Sequence, residues 1–208
     1  MITSIREFMD NEIIRVSCAA LARIIIDDKY LLCMNKNHAK NGRQVYTPFG
    51  GGLQYDNTSL PFLNSLDVVF ERDEPDLRFT FATKNLKTFE NWFYKRTGRE
   101  TIIDRELYEE IVEEEKLLNS LNSADYTSKF INTVVDIQKY DDKYADMKNA
   151  HTTHRYFEIY EVNFSDDINK QFIDKCINNS VALLSKEEII RGISNDGIKI
   201  GANAKSIL

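Results

Sequence analysis

The residues most able to do chemistry lie in one short acidic segment, Arg105-Glu106-Leu107-Tyr108-Glu109-Glu110. On an α-helix, which turns by about 100° per residue, Glu106, Glu109, Glu110 and Glu113 fall within an arc of about 100°. No Lys or Arg separates these glutamates, so each pair of neighbouring carboxylates costs the helix roughly 0.2–0.5 kcal/mol. A divalent cation bound among them would offset that repulsion. The other interpretation is an acidic face turned towards solvent.

A stripe of apolar residues beside the acidic face predicts the helix that must hold it. The stripe recurs at helical spacing and comprises Ile103, Leu107, Ile111, Leu118 and Leu121. Such spacing is typical of the core-facing side of an amphipathic helix. We therefore predict one helix from Ile102 to about Leu121.

A glycine-rich segment upstream, Thr47-Pro48-Phe49-Gly50-Gly51-Gly52-Leu53-Gln54, is the second informative feature. Consecutive glycines allow a backbone approach or a positive φ that side chains would block. Together the two segments resemble the Nudix hydrolase signature, a Gly-Gly turn followed by Arg-Glu-apolar-x-Glu-Glu. The acidic half of the signature is matched at Arg105, Glu106, Leu107, Glu109 and Glu110.

The chain departs from that signature in three ways. Gly51 and Arg105 are 54 positions apart, so about forty residues are inserted within the contiguous motif of the family. Gln54 stands where the turn usually carries a Glu. Val112 replaces the glycine that normally ends the helix, which predicts that the helix continues through Glu113–Leu121.

The position of the insertion, at about 56–98, is similar to that in a divergent subgroup: Nudix domains encoded beside cyclic-oligonucleotide synthases in bacterial antiphage systems. The likeness rests on Tyr46-Thr47-Pro48, Asp76-Leu77-Arg78-Phe79, Asn91-Trp92-Phe93, Arg99-Glu100 and the end Ile200–Leu208. It implies an α/β fold, a Nudix-like mixed β-sheet sandwiched by helices. We predict a single domain over 1–208 that contains the insertion.

The resemblance also implies a reaction, the metal-dependent hydrolysis of a nucleoside diphosphate linked to another group. Mg²⁺ or Mn²⁺ would be held by Glu106, Glu109 and Glu110, with the carbonyl of Gly50 or Gly51 as a further ligand. Arg105 would hold a carboxylate in place by a bidentate pair. Which glutamate acts as general base stays open, because Glu100, Glu113 and Glu114 compete in sequence with these three.

The insertion reverses the local charge of the chain. Strands are predicted at Asp67–Glu71 and Arg78–Thr83, and a helix at Asn85–Arg96. The segment from Leu77 to Arg99 contains one acidic residue and six basic residues: Arg78, Lys84, Lys87, Lys95, Arg96 and Arg99. Arg78 and Arg96 are therefore candidate phosphate-binding residues, and Trp92 could stack on a base. The alternatives are a basic surface paired with the acidic helix, and a core position for Trp92.

Two local signals elsewhere are independent of function. Asp27-Asp28-Lys29 separates the apolar runs Val16–Ile26 and Tyr30–Met34, which predicts a hairpin although no glycine is present. Ser185 followed by Glu188 predicts a capping box at the start of a helix over Lys186–Arg191.

Composition narrows the partners. The formal net charge of −6 argues against a dedicated nucleic-acid binder, and no apolar run is long enough to span a bilayer. Three widely spaced cysteines favour reduced thiols and a cytoplasmic protein. The predicted partner is a nucleotide substrate. The alternative is a non-hydrolytic sensing module that binds a cyclic-oligonucleotide messenger and signals by assembly, and the insertion could serve as a homodimer surface.

Overall fold

The fold is that of a computed structural model, which describes residues 12–35, 42–139, 152–176 and 180–208. The helices and strands of these residues are, in chain order, β1 (Ile13–Ile26), β2 (Lys29–Met34), β3 (Val45–Thr47), α1 (Leu60–Ser65), β4 (Val69–Phe70), β5 (Arg78–Ala82), α2 (Leu86–Phe93), α3 (Asp104–Tyr108), a π-helical segment (Glu109–Glu114), β6 (Tyr126–Gln138), β7 (Thr152–Phe164), α4 (Asp166–Lys175), β8 (Val181–Leu184), α5 (Lys186–Arg191) and β9 (Lys199–Ile200). A final 3₁₀ segment covers Ala202–Ile207.

Nine strands of the described residues form a mixed sheet. Its path runs β4-β5-β1-β2-β3-β9, while β7 pairs with β1 and β6, and β8 pairs with β2. Strands β3 and β9 run parallel, whereas β1–β2, β1–β5, β2–β3, β2–β8 and β4–β5 are antiparallel. The predicted fold class, a mixed sheet flanked by helices, is confirmed.

The chain divides into two compact units. Unit 1 takes its described residues from 12–19, 52–101, 133–139 and 152–157. Unit 2 takes them from 20–35, 42–51, 102–132, 158–176 and 180–208. The predicted insertion belongs to unit 1, and the acidic segment belongs to unit 2. That the whole chain is one domain stays a prediction.

Unit 1 has an aromatic core. Phe79 and Phe81 of β5 meet Phe89 of α2 edge-on, with ring centroids 5.4 and 5.9 Å from it. Phe93 lies one helical turn further along α2 and is also fully buried. Edge-to-face contacts of this kind add about 0.5–1.5 kcal/mol each beyond the burial of area. These rings explain why the insertion folds into strand, strand and helix at the predicted places.

The C-terminal end of α2 is fixed by a buried arginine. Arg99 is 4% exposed and donates from Nε and Nη2 to the carbonyl of Phe93, at 3.1 and 2.7 Å. Its guanidinium also lies 3.9 Å from the centre of the Phe93 ring. Carbonyls at the end of a helix have no partner within the helix, so a cation satisfies them well. Arg99 is thus a structural residue here.

The hairpin and capping predictions are confirmed within unit 2. Ile26 pairs with Lys29 across the turn, and Asp27 and Asp28 both have positive φ, at 48° and 61°. That is the backbone pattern of the tight turn that best suits the twist of two antiparallel strands. The Ser185 hydroxyl accepts from the Glu188 N–H, and the Glu188 carboxylate accepts from the Ser185 N–H.

The prediction of one long acidic helix is wrong in its extent. Regular α-helix ends at Tyr108, π-helical turns follow, and the helical segment ends at Glu114. Lys116 then adopts a left-handed conformation, with φ of 52°. Glu113, Glu114 and Glu115 would place three negative charges at the end of a helix, where the helix dipole is itself negative. The apolar stripe still faces the core, since each of its five members is at most 9% exposed.

Candidate functional site

The glycine turn is held against β1 by its own backbone. The N–H of Ala22 donates to the carbonyl of Phe49 at 2.8 Å, and the N–H of Ala20 donates to that of Gly51 at 2.9 Å. Gly50 lies between these bonds with φ of +136°. A Cβ there would stand 2.0 Å from the carbonyl oxygen of Ala20, so no other residue fits without moving the strand.

Glu110 is bound to this turn. Its Oε2 accepts a hydrogen bond from the N–H of Gly50 at 2.6 Å. The two residues are sixty positions apart in sequence, so the contact depends entirely on the tertiary fold. A hydrogen bond to a charged group contributes about 1.5–3 kcal/mol, which makes this contact one of the stronger restraints on the turn.

Glu106 occupies the space that Gly51 leaves empty. A Cβ at Gly51 would lie 2.0 Å from Oε2 of Glu106 and 2.6 Å from its Cδ. Glu106 is only 7% exposed. The absence of a side chain at Gly51 therefore has a specific use, because it admits a buried carboxylate to the backbone of the turn.

Arg105 neutralises part of the cluster. Its Nη1 lies 2.8 Å from Oε1 of Glu106 and 3.0 Å from Oε2 of Glu109. One nitrogen of the guanidinium thus contacts two carboxylates of the acidic segment. The positioning role that the resemblance implies, a bidentate pair with one carboxylate, stays a prediction. Glu109 is the more exposed of the two, at 39% of its side chain against 9% for Glu106.

A π-helical segment follows Tyr108 and changes the spacing of the acidic side chains. The N–H of Glu115 donates to the carbonyl of Glu110 at 2.8 Å, an i→i+5 bond. A π turn contains more residues than an α turn, so it shifts the angular positions of all side chains after Tyr108. The common arc of Glu106, Glu109, Glu110 and Glu113 assumed a regular α-helix and does not hold beyond Tyr108. Turns of this kind occur often at functional sites.

The environment of Glu110 disfavours the charged form of its carboxyl group. Burial raises the pKa of the Glu110 carboxyl well above its usual range, and the Gly50 N–H only partly opposes that shift. The negative charges of Glu106, Glu114 and Glu115 raise the pKa further. A cation close to Glu110 would remove this penalty.

Sequence reasoning missed one residue next to this cluster. Cys33 of β2 is buried, and burial raises the pKa of its thiol, as do the negative charges of Glu110 and Glu115. Its Sγ lies 3.5 Å from the carbonyl oxygen of Thr47, which begins the glycine segment. Cys33 is therefore a neutral thiol that supports the turn. Its position in the apolar run Tyr30–Met34 indicated burial but not its neighbours.

The oxygen atoms of the three glutamates and of the Gly51 carbonyl are ligands that a hard divalent cation prefers, but they are not arranged as a complete coordination site. Carboxylate and carbonyl oxygens are the ligands that Mg²⁺ and Mn²⁺ prefer. Within the described ranges, however, no group of three or more His, Cys, Asp and Glu side chains is arranged to hold a metal ion. The carbonyl of Gly51 also accepts a bond from Ala20, which leaves one of its two lone pairs.

The predicted substrate-binding residues all lie in unit 1. Arg78 stands 3.7 Å from Oδ2 of Asp76, and Nη2 of Arg96 donates to the carbonyl of Thr101 at 2.7 Å. Trp92 is partly buried and packs against Phe62, with ring centroids 5.4 Å apart. Each residue has a structural contact, and the proposed contact with substrate remains a prediction.

The fold combines a mixed β-sheet, a glycine turn and a helical segment with the sequence Arg-Glu-apolar-x-Glu-Glu. Two carboxylates of this segment lie on the glycine turn. These features define a Nudix-type domain. The profile of one protein family, described as the SMODS-associated NUDIX domain, matches residues 13–208. The chain belongs to this family, the Nudix domains of antiphage systems that contain a cyclic-oligonucleotide synthase. No curated protein and no solved structure matches the chain. No helix of the described residues has the length and apolar character that a membrane span requires.

Proposed function

We propose that this protein is a metal-dependent hydrolase of a nucleoside diphosphate-linked compound or a related nucleotide phosphoanhydride, acting in the cytoplasm in bacterial antiviral defence. One observation carries the proposal. The carboxylates of Glu106 and Glu110 meet the backbone of Gly50 and Gly51, although more than fifty residues separate the two halves of the motif. An acidic face turned to solvent would need neither the empty space at Gly51 nor the hydrogen bond from Gly50.

Mg²⁺ or Mn²⁺ would be held by Glu106, Glu109, Glu110 and the carbonyl of Gly51. When bound, such an ion polarises phosphoryl oxygens and lowers the pKa of water. A buried carboxylate among like charges gains most from a cation, and Glu110 is in that situation. These oxygen ligands fit such an ion by their chemical type. Because Arg105 already pairs with Glu106 and Glu109, the ion would share both carboxylates with Arg105.

The residues of the chain itself have separable tasks in this proposal. Arg105 fixes the orientation of Glu106, and Gly50 fixes Oε2 of Glu110. Which glutamate acts as general base stays open. Arg78 and Arg96 are proposed to bind substrate phosphates, and Trp92 to stack on a base.

The test is a panel of nucleoside diphosphate-linked compounds and nucleoside triphosphates with Mg²⁺ or Mn²⁺. Glu110→Gln should lower turnover by at least ~10²-fold, the scale for losing one electrostatic stabiliser. Glu187→Gln is the matched control, since it removes one charge from unit 2 at an exposed position outside the acidic segment. A Glu110→Gln protein that turns over like the parent would refute the assignment.

A second candidate is favoured by the state of the carboxylates. Arg105 pairs with two of the three glutamates, so these charges are satisfied without any metal. That arrangement suits a sensing module that binds a cyclic-oligonucleotide messenger without cleaving it and signals by assembly, for example as a homodimer. A messenger could act only through its difference in affinity for the idle and assembled states. Sedimentation with cyclic di- and trinucleotides separates the two candidates: a change of mass without turnover supports the sensor.

A further inference from the structure

The insertion contains an open cavity of about 410 Å³ that belongs wholly to unit 1. Its volume lies within the range of about 300–1,000 Å³ that is usual for small-molecule sites. The aromatic rings of Tyr55 and Phe70 line it, together with Asn64 at the C-terminal end of α1. Glu71, Arg72 and Asp73, which follow β4, are the charged residues of its lining.

The aromatic wall is fixed in place before any ligand binds. The rings of Tyr55 and Phe70 stack with centroids 5.2 Å apart and planes at 29°. Phe70 in turn meets the buried Phe79 edge-on at 5.9 Å, which joins the wall to the core of unit 1. The N–H of Tyr55 donates to the carbonyl of Pro75 at 2.9 Å. A preorganised aromatic surface offers a planar ligand a stacking partner at low entropic cost.

The charged residues that line the cavity differ in how completely they are neutralised by an ion pair. Both carboxylate oxygens of Glu71 are bound by Arg15, through Nε at 2.5 Å and Nη2 at 2.9 Å. Glu71 is thereby neutralised. Arg72 is 57% exposed and stands 4.0 Å from Asp76, the upper limit for an ion pair. The lining therefore contains an exposed cation, Arg72, and an exposed carboxylate on the next residue of the chain, Asp73.

This combination identifies a class of ligand. A ligand that stacks on Tyr55 and also bonds to both Arg72 and Asp73 is flat, and it presents hydrogen-bond donors and acceptors in its plane. Guanine presents N1–H and N2–H donors on one edge, which a carboxylate accepts, and the acceptors O6 and N7, which an arginine binds bidentately. Adenine has no such pair of donors. A negatively charged phosphate is the less suitable ligand, because Asp73 would repel it.

We propose that this cavity is a nucleobase-binding site with a preference for guanine, in which the base stacks on the Tyr55 ring of the Tyr55–Phe70 pair, Asp73 accepts from its donor edge and Arg72 donates to its acceptors. The proposal needs neither the carboxylate cluster of unit 2 nor any hydrolysis. It adds a site in the insertion that the proposed reaction does not use.

Nucleosides test the proposal without interference from phosphate binding or turnover. Guanosine, inosine, adenosine and uridine are titrated into the full chain, and binding is followed by amide chemical shifts and calorimetry. Guanosine should bind most tightly, and inosine about tenfold more weakly, because it lacks the 2-amino donor and one hydrogen bond to a charged group. The amide of Asp73 should shift with guanosine.

Variants separate the two parts of the site. Tyr55→Leu should weaken guanosine binding by about 5- to 150-fold, the range for losing one stacking partner of a base. Tyr94→Leu is the control, since it removes a half-exposed ring of unit 1 outside the cavity. Asp73→Asn lies at an exposed position, where it leaves the fold intact, and it should abolish the preference for guanosine over inosine.

Three results would overturn the proposal. The first is that no nucleoside shifts the amides around the cavity at millimolar concentration. The second is that adenosine or uridine binds as well as guanosine. The third is that Tyr94→Leu weakens binding as much as Tyr55→Leu. Loss of hydrolysis in Glu110→Gln bears on none of these, so the two proposals fail separately.

Discussion

Gly51→Ala is the most direct test of the way in which the glycine turn and the acidic segment fit together. The added Cβ would lie 2.0 Å from Oε2 of Glu106, whereas ordinary contact begins near 3.4 Å. The carboxylate must therefore retreat by roughly 1.4 Å, more than the misplacement of 1 Å that can cost ~10²-fold in rate. We expect hydrolysis to fall by about 10²-fold.

The same substitution should cost little stability. The displaced group is the far end of a flexible side chain, so it can move without shifting the backbone. Replacing glycine also restricts the unfolded chain, which returns about 0.4–1 kcal/mol. In a chain of this size, the melting temperature should change by no more than about 2–4 °C.

Two comparisons make the experiment decisive. Gly50→Ala should instead destabilise the fold strongly, because its Cβ would collide with the backbone of Ala20 at a φ of +136°. In a Glu106→Gln background, Gly51→Ala should have almost no further effect on turnover, since both changes act through the same carboxylate. The assays are thermal unfolding and turnover of the best substrate in the panel. Gly51→Ala with full activity, or with a loss of stability equal to that of Gly50→Ala, would refute the reasoning.

Three further predictions concern charge. Mg²⁺ at ten times its dissociation constant should stabilise the parent by about 1.4 kcal/mol in thermal unfolding. Glu110→Gln, unlike the control Glu187→Gln, should lose most of that gain, and equal gains in all three proteins would contradict the metal assignment. Burial raises the pKa of Glu188, but hydrogen bonds from Ser185 and Asn195 outweigh burial and hold it below its usual range. The ionised Glu188 therefore stabilises the fold at neutral pH, and this contribution is lost as the pH falls through the lowered pKa. Glu188→Ala should thus cost about 1–2 kcal/mol in denaturant unfolding at pH 7 and less in acid, whereas a cost independent of pH would show that the charge is irrelevant. Arg78→Ala and Arg96→Ala should raise KM if these residues bind phosphates. Unchanged KM with a lower melting temperature would make them structural residues.

The local signals of the sequence were sufficient where local physics decides the structure. The turn at Asp27-Asp28 and the capping box at Ser185 depend on residues a few positions apart, and both form as predicted. The apolar stripe from Ile103 to Leu121 is buried as expected, since burial follows residue type more closely than backbone geometry does. The motif residues also identified the family correctly, although about forty residues divide the motif.

The tertiary structure decided what the sequence pattern left open. A helix of regular period was expected through Leu121, but acidic residues near its end and a π turn stop it at Glu114. Arg96 and Arg99 read as members of a basic strip, yet their guanidinium groups bind backbone carbonyls within unit 1. Charge along a sequence does not indicate whether a neighbouring carbonyl or a ligand will satisfy it, because the partner is fixed only by folding.

The sequence by itself determined the family, the residues of the acidic segment and the need for glycine at the turn. Only the tertiary structure decided that Gly50 is needed for a close approach to β1 and Gly51 for a close approach of Glu106. It also placed Cys33 beside Glu110 and built the cavity at Tyr55. The physical reason is the same in each case. The space beside a glycine, the burial of a charge and the stacking of two rings all depend on atoms within a few ångströms. Residues distant in sequence supply those atoms.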